Sequence, residues 1–452
     1  MFRTWKTTLV VLAATGLAAW GLAGCGDDDG GGDGGTDTDT DTDADGGDNG
    51  ELTVLVLSES WTADPAPAEG ALVTLDKPGG ERVELTTGAD GTVVFDAIDW
   101  ALGAAAATAS MDGHGMASHV GLAEADSPLT IRIPVQPVET VELSGTITNM
   151  TDDTNWQATT AVVPGGGGMM STGPDYSINV PTGVPFPLSA VEWLWDPPSD
   201  QGQGFIIQNW FWQEMDAITA DTTYDITFEG DGGVESTEVS GSFDFSLTEG
   251  TPLSGTAGRG SAFAVVAWDT YHQWVPGGWA GYAMGYSDGD INADGTAFDF
   301  TVEYIEPSSI EHFLTHYMID SATTQPYPRS LVVEDGLPTA GSHAVDFVDI
   351  PVLSSSLYEL NGAPFTWESA ETDAYPELIV TVGDHTWIIE GPVGATSLAV
   401  PAPPEGAALT EQIETGNHAA DLTLARDAAD STPELWLGAR SYSEEFYVKY
   451  TP

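Results

Sequence analysis

One cysteine, Cys25, stands in a chain of 452 residues. No intramolecular disulfide can brace it, so its stability must come from packed cores. Cations are nearly as scarce: 10 Lys and Arg face 70 Asp and Glu, a formal net charge of −60 at pH 7. A surface of that sign excludes nucleic acid and anionic lipid headgroups as partners, because both need a basic footprint. Beyond Cys25 no stretch is apolar for the roughly 20 residues that a bilayer span takes. No long segment repeats apolar residues at helical spacing either. Phosphate loops, metal clusters and catalytic triads are equally missing as motifs, so the chain is expected not to be an enzyme.

What is present begins at the first residue. Arg3 and Lys6 precede an apolar run from Leu9 to Leu22, and small residues lead to Leu22-Ala23-Gly24-Cys25. This is the layout of a secretory signal, and its end resembles the lipobox of bacterial lipoproteins. The resemblance implies removal of residues 1–24, a diacylglycerol thioether on Cys25 and acylation of the new amino group. Several acyl chains hold a protein stably at a membrane that it does not span. Residues 25–50 then run through Asp27, Asp28 and Asp29, glycines and a Thr-Asp repeat. They contain nothing with which to build a core, so a disordered, extended tether is expected. Coil scaling gives it a reach of roughly 25 to 30 Å before charge repulsion extends it. Gly26 directly after the cysteine resembles outer-membrane sorting, and the acidic cluster resembles surface-export signals. The expected location is the outer membrane, lipid-anchored and exposed on the cell surface, with a periplasm-facing anchor as the alternative.

The body itself is strongly acidic, since the loss of Arg3 and Lys6 leaves 8 cations against 70 acids, of which the tether holds only ten. Its self-repulsion weakens with salt, because the Debye length falls from about 10 Å at 0.1 M to about 3 Å at 1 M. A saline habitat accounts for such a charge; collection of divalent cations is the rival explanation.

Some 400 residues exceed one core and divide into several domains. Glycine and proline are plentiful, and short alternating runs recur between turn signals, which is the all-β pattern. The expected fold is all-β, with tandem β-sandwich domains behind the acidic tether. The boundaries read as 51–137, 138–231, 232–351 and 352–452. Val141-Glu142-Leu143-Ser144-Gly145-Thr146-Ile147 and, 96 residues later, Thr237-Glu238-Val239-Ser240-Gly241-Ser242-Phe243 open the second and third with the same Ser-Gly strand start. They read either as related sandwiches or as coincidence.

In the first domain, Gly70-Ala71-Leu72-Val73-Thr74-Leu75 and Thr87-Gly88-Ala89-Asp90-Gly91-Thr92-Val93-Val94-Phe95 precede Leu129-Thr130-Ile131-Arg132-Ile133-Pro134-Val135. The order resembles the carboxypeptidase-regulatory or Cna-B-like family, a prealbumin-type β-sandwich that implies a spacer or accessory module. Ala104 to Met111 departs from that pattern by its alanines. Lys77 sits beside a turn, which argues against an isopeptide bond. In the last domain Trp367, the strand pair from Glu377 to Ile389 and Thr396-Ser397-Leu398-Ala399-Val400-Pro401 are similar to a fibronectin type III sandwich.

Most chemical candidates fail on context. Gly285-Tyr286-Ser287-Asp288-Gly289 matches a nucleophile elbow, but Asp290 to Gly295 cannot start the helix that an elbow needs. His312 and His316 stand four apart, as on a short helix or loop, without a third metal ligand. Asp290, Asn292 and Asp294 place oxygens at alternate positions before Gly295, as a calcium loop does, yet Thr301 occupies the closing position. The two readings are a calcium site and an acidic hairpin turn. Aromatics gather in the middle domains: Trp193, Trp195, Trp210, Phe211 and Trp212, then Trp268, Tyr271, Trp274, Trp279, Tyr282 and Tyr286. Rings beside carboxylates suit a sugar-binding face, although sandwich cores use the same residues. The functional expectation is a structural, adhesive or accessory lipoprotein of the cell envelope. Its alternatives are binding of a polysaccharide or cell-surface glycoprotein and, least favoured, a hydrolase.

Overall fold

A computed structural model describes residues 50–60, 63–136, 139–150, 156–160, 169–171, 173–183, 185–195, 203–228, 237–247, 258–267, 281–304, 312–321, 328–360, 363–428, 437–443 and 446–450. Cys25 and most of the tether lie outside them. The fold is all-β, as the alternating runs require. Among the described residues the α-helix Ala408–Ile413 spans six residues, and no helix there is long and apolar enough to cross a membrane.

Four successive units share one device: an early strand of each pairs in parallel with its closing segment. In the first, Gly50–Ser60 lies between Thr92–Ile98, antiparallel, and Leu129–Pro134, parallel. Leu52, Val54 and Val56 point inward and are buried, which is the alternation that the sequence displays. In the second, Thr140–Thr148 lies between antiparallel Asp175–Pro181 and the parallel strands Thr222–Thr223 and Ile226–Thr227. The third repeats this with Thr237–Asp244 between Ala297–Tyr304 and Gly341–Ala344. In the last, Leu357–Glu359 runs parallel to Phe446–Lys449.

The Ser-Gly match has a steric basis. A Cβ on Gly145 would collide with the Tyr224 carbonyl of the parallel neighbour, and one on Gly241 would lie 2.8 Å from the Gly341 carbonyl. Both glycines admit the closing segment, which is why the Ser-Gly strand start recurs.

Val352–Leu353, Phe365–Glu368 and Ser397–Leu398 form a small sheet of their own, while Leu357–Glu359 and Phe446–Lys449 join sixteen further strands in an 18-stranded sheet. Its path begins in the first unit with Arg82–Thr86, Leu72–Asp76, Ala105–Ser110 and Met116–Leu122. It passes to the last unit through His385–Glu390, Tyr375–Val382, His418–Asp427 and Gly438–Tyr442. The third unit follows with Arg329–Asp335, His312–Ser321, Gly258–Ala267 and Gly281–Asp290. The second unit ends the path with Gln203–Met215, Phe186–Trp195, Trp156–Thr160 and Met169–Ser171. The units are consecutive in sequence, but their order along the sheet is first, last, third, second.

The alanine segment that departs from the family pattern is a strand of this sheet, between Leu72–Asp76 and Met116–Leu122. Ala105, Ala107 and Ala109 face the first core, which also holds Leu52, Phe95 and Ile131. Ala106 faces the opposite core, which Met116 and Val120 share with Trp387, Leu378 and Phe243 of the later units. A strand buried on both faces loses its alternation, and alanine is a weak strand former. The sequence pattern therefore misses it. His312 and His316 likewise stand in a strand rather than a helix or loop.

Candidate functional site

The junction between the first and last units is the place where the chain joins parts far apart in sequence. Met116–Leu122 and His385–Glu390 pair in parallel, with Trp387 opposite Met116 and Glu390 opposite His119. The Trp387 indole N–H donates to the Ser118 Oγ at 2.9 Å. Thr386 N–H donates to the Gln136 Oε1 at 2.7 Å, and the Gln136 amide returns a bond to the Thr386 hydroxyl at 3.2 Å. The Arg82 guanidinium donates to the Ala402 carbonyl.

A polar row starts at this junction and crosses the sheet on the face turned away from Leu378, Leu422 and Leu424. Directly opposed positions run His119, Glu390, Glu377, Thr423, Tyr442, Arg329, Asp320, Arg259 and Asp290. His119 Nδ1 and Glu390 Oε2 are 3.1 Å apart. Glu377 and Arg440, both buried, approach to 3.3 Å. The Tyr375 hydroxyl donates to Asp427 at 3.1 Å. Farther along, the Arg329 guanidinium lies 4.7 Å over the Tyr442 ring, a cation–π contact, and Arg259 pairs with Asp288.

Burial governs the electrostatics of this row. It pushes the Glu377 and Glu390 carboxyls up, with the positive charge of Arg440 opposing. It pushes the His119 imidazole down to about 4, against the pull of Asp126. The two shifts favour a neutral pair at the junction, a carboxyl O–H donating to an imidazole nitrogen. Asp320 is also raised by burial, with Arg259 and Arg329 opposing. Arg329, Asp320 and Arg259 alternate in sign across neighbouring strands of the third unit, and opposite charges placed so favour one strand register. Between units, the His119–Glu390 contact and the Arg329–Tyr442 cation–π contact oppose sliding.

The residues singled out in the sequence do not converge. Asp290 ends a strand, and Asn292 and Asp294 occupy the hairpin that follows. The Asn292 Oδ1 accepts from the N–H groups of Thr296 and Ala297 at 2.9 and 3.1 Å, and Gly295 N–H donates to the Asn292 carbonyl at 2.8 Å. Its side-chain oxygen thus serves the turn. Among the described residues no group of three His, Cys, Asp or Glu side chains is placed to hold a metal ion. Ser287 is buried inside a strand and accepts from Thr301 N–H at 3.2 Å, so it occupies no elbow. Burial lowers the His316 imidazole to about 3.

Of the aromatics, Phe211 packs against the second core. Trp210 and Trp212 project from the other face, half-buried and stacked, with ring centroids 6.5 Å apart at 17°. Trp268, Tyr271, Trp274 and Trp279 lie outside the described residues. A half-open recess of about 310 Å³, polar and apolar in nearly equal parts, is lined by Leu360, Pro364, Val400 and Tyr450.

No family model and no curated protein matches the chain. Solved structures that align with it include the Bacillus anthracis TIE protein, at 11% identity over 67% of this chain and 51% of that one, with a TM-score of 0.17. The chain thus spans about half the length of that protein. The shaft pilin spaA of Lactobacillus rhamnosus GG aligns at 9% identity over 41% of this chain and 100% of the other, TM-score 0.15. A streptococcal ancillary pilin aligns at 10% identity over 66% and 98%, TM-score 0.15. Values this low leave the fold to rest on the strand pairings themselves.

Proposed function

We propose that this chain is a lipid-anchored protein of the cell surface whose β-sandwiches form a stiff structural or adhesive platform. The supporting observation is sheet continuity: strands of all four units share one hydrogen-bonded sheet. Units joined only by linkers would hinge freely. Here hinging between the first and last units must break backbone hydrogen bonds, the Gln136–Thr386 pair and the Trp387–Ser118 bond. A stiff, acidic body on an extended acidic tether stands clear of its own membrane and resists association with like-charged copies. The anchor is the reading of Cys25, and exposure on the outer face follows from the sorting resemblances.

The test is cell fractionation with Cys25→Ala. The parent should partition into the detergent phase and be digested by protease added to intact cells, while the variant should leave the membrane fraction. Cells releasing the variant should also lose surface attachment. A variant that partitions like the parent removes the anchor, and a parent protected from protease on intact cells removes surface exposure.

A further inference from the structure

Ser58 and His114 meet at the mouth of the first sandwich. Ser58 continues the inward row of Leu52, Val54 and Val56 on the strand Gly50–Ser60, but it is only half-buried where those three are enclosed. His114 belongs to the turn of the facing sheet, between Ala105–Ser110 and Met116–Leu122. A bridge to Val135 and an N–H bond to the Met111 carbonyl at 3.1 Å hold it there. Its Nε2 lies 2.7 Å from the Ser58 Oγ, and its Nδ1 lies 3.0 Å from the Asp112 carbonyl oxygen. A carbonyl oxygen can only accept, so Nδ1 carries the proton and donates it to Asp112. Nε2 is then the acceptor, and the Ser58 O–H donates to it. Nucleophile, base and orienting acceptor stand in the sequence that activates a serine hydroxyl, with a backbone carbonyl in the place of a carboxylate.

We infer that Ser58 is an acyl-accepting nucleophile with His114 as its general base, and that small activated esters are its substrates. The Ser58 Oγ adds to the ester carbonyl carbon while its proton passes to Nε2. The carbon–oxygen bond to the leaving group then breaks, and the imidazolium returns the proton to the departing alkoxide. An acyl-serine and an alcohol result, with no change of oxidation state. Water, deprotonated by the same nitrogen, releases the acid and restores Ser58. General-base help alone contributes about 10² to 10⁴ in rate. That suffices for an ester with a good leaving group and falls short for an amide, which sets the substrate class. Sequence offers no signal for this pair, because the residues are 56 positions apart and neither lies in a motif. The inference does not depend on the adhesive reading.

The full-length protein is incubated with a biotinylated fluorophosphonate and, separately, with p-nitrophenyl acetate. One phosphonyl adduct, mapped by peptide mass spectrometry to Ser58, is expected. Ser58→Ala should abolish it, and His114→Gln should slow labelling and ester cleavage about 100-fold without moving the melting temperature. Adducts spread evenly over the serines of the chain, or His114→Gln labelled as fast as the parent, would overturn the inference and leave the bond a clasp between the sheets. Ser58→Cys supplies a second measurement: iodoacetamide should alkylate that thiol faster with His114 present than with His114→Gln. Equal rates would also overturn it.

Discussion

Six arginines remain beyond Cys25, and nearly all are committed to carboxylates. Arg82 meets Asp76 at 3.3 Å, Arg132 meets Glu59, Arg259 meets Asp288, and Arg440 meets Glu377 at 3.3 Å. Arg426 bridges Asp346 at 2.9 Å and Asp373 at 3.2 Å. Three of these acids, Glu59, Asp288 and Glu377, are enclosed by the fold, whereas Asp346 and Asp373 are exposed. Removing one partner of an enclosed pair strands the other charge, at about 3 to 5 kcal/mol. Arg440→Met should therefore lower stability by about that amount, more at pH 8 than at pH 5, because Glu377 escapes the penalty by taking up a proton. Arg440→Met with Glu377→Leu should recover most of the loss. Denaturant unfolding checks both, and a single variant within about 1 kcal/mol of the parent would show that the pair carries little.

At the scale of the element, the opening strands are the most regular feature. Val141 to Ile147 and Thr237 to Phe243 lie in strands flanked by one antiparallel and one parallel side, which the shared Ser-Gly start announces and a glycine explains. Gly145→Ala and Gly241→Ala should each cost about 1 to 3 kcal/mol by forcing the parallel neighbour outward. Glu142→Ala, one strand position with an exposed side chain, should change stability by less than about 0.5 kcal/mol. Melting of the three variants side by side tests this, and equal effects at all three would remove the steric account. Strands with one wet face, such as Gly50–Ser60, were legible from alternation. Ala105–Ser110 was not, because both its faces are covered.

For the whole molecule, charge sets the conditions of stability. With −60 formal charges, melting should rise between about 0.1 M and 1 M sodium chloride as screening relieves repulsion. The pH optimum follows from enclosed groups. Burial pushes Glu59 up to about 7, with Arg132 opposing. A raised carboxyl supports folding fully below its ordinary value of 4.5, and that support is lost as pH rises through 7. His119 and His316, held near 4 and 3, act oppositely: their support is intact above 6.5 and is lost as pH falls. The two limbs place maximal melting at about pH 5.5 to 6.5, and Glu59→Gln should flatten the alkaline limb. A melting temperature that climbs steadily to pH 8, or that ignores salt, would contradict this account.

Alternation with period two, the count of turns and the excess of acids are local or summed properties. The sequence by itself therefore determined the all-β class, the strands with one wet face, the acidic body and the anchor signature at Cys25. Which strands become neighbours is decided by pairings between distant segments, such as Arg82 with Ala402, 320 residues apart, and no local pattern encodes that choice. Tertiary structure alone placed the last unit between the first and third, aligned nine residues spread from His119 to Tyr442 into one polar row, and brought His114 to Ser58. The calcium-like spacing at Asp290 shows the converse. Its oxygens are legible in sequence, but the fold decides their use, and it turns the Asn292 oxygen toward the backbone of its own hairpin.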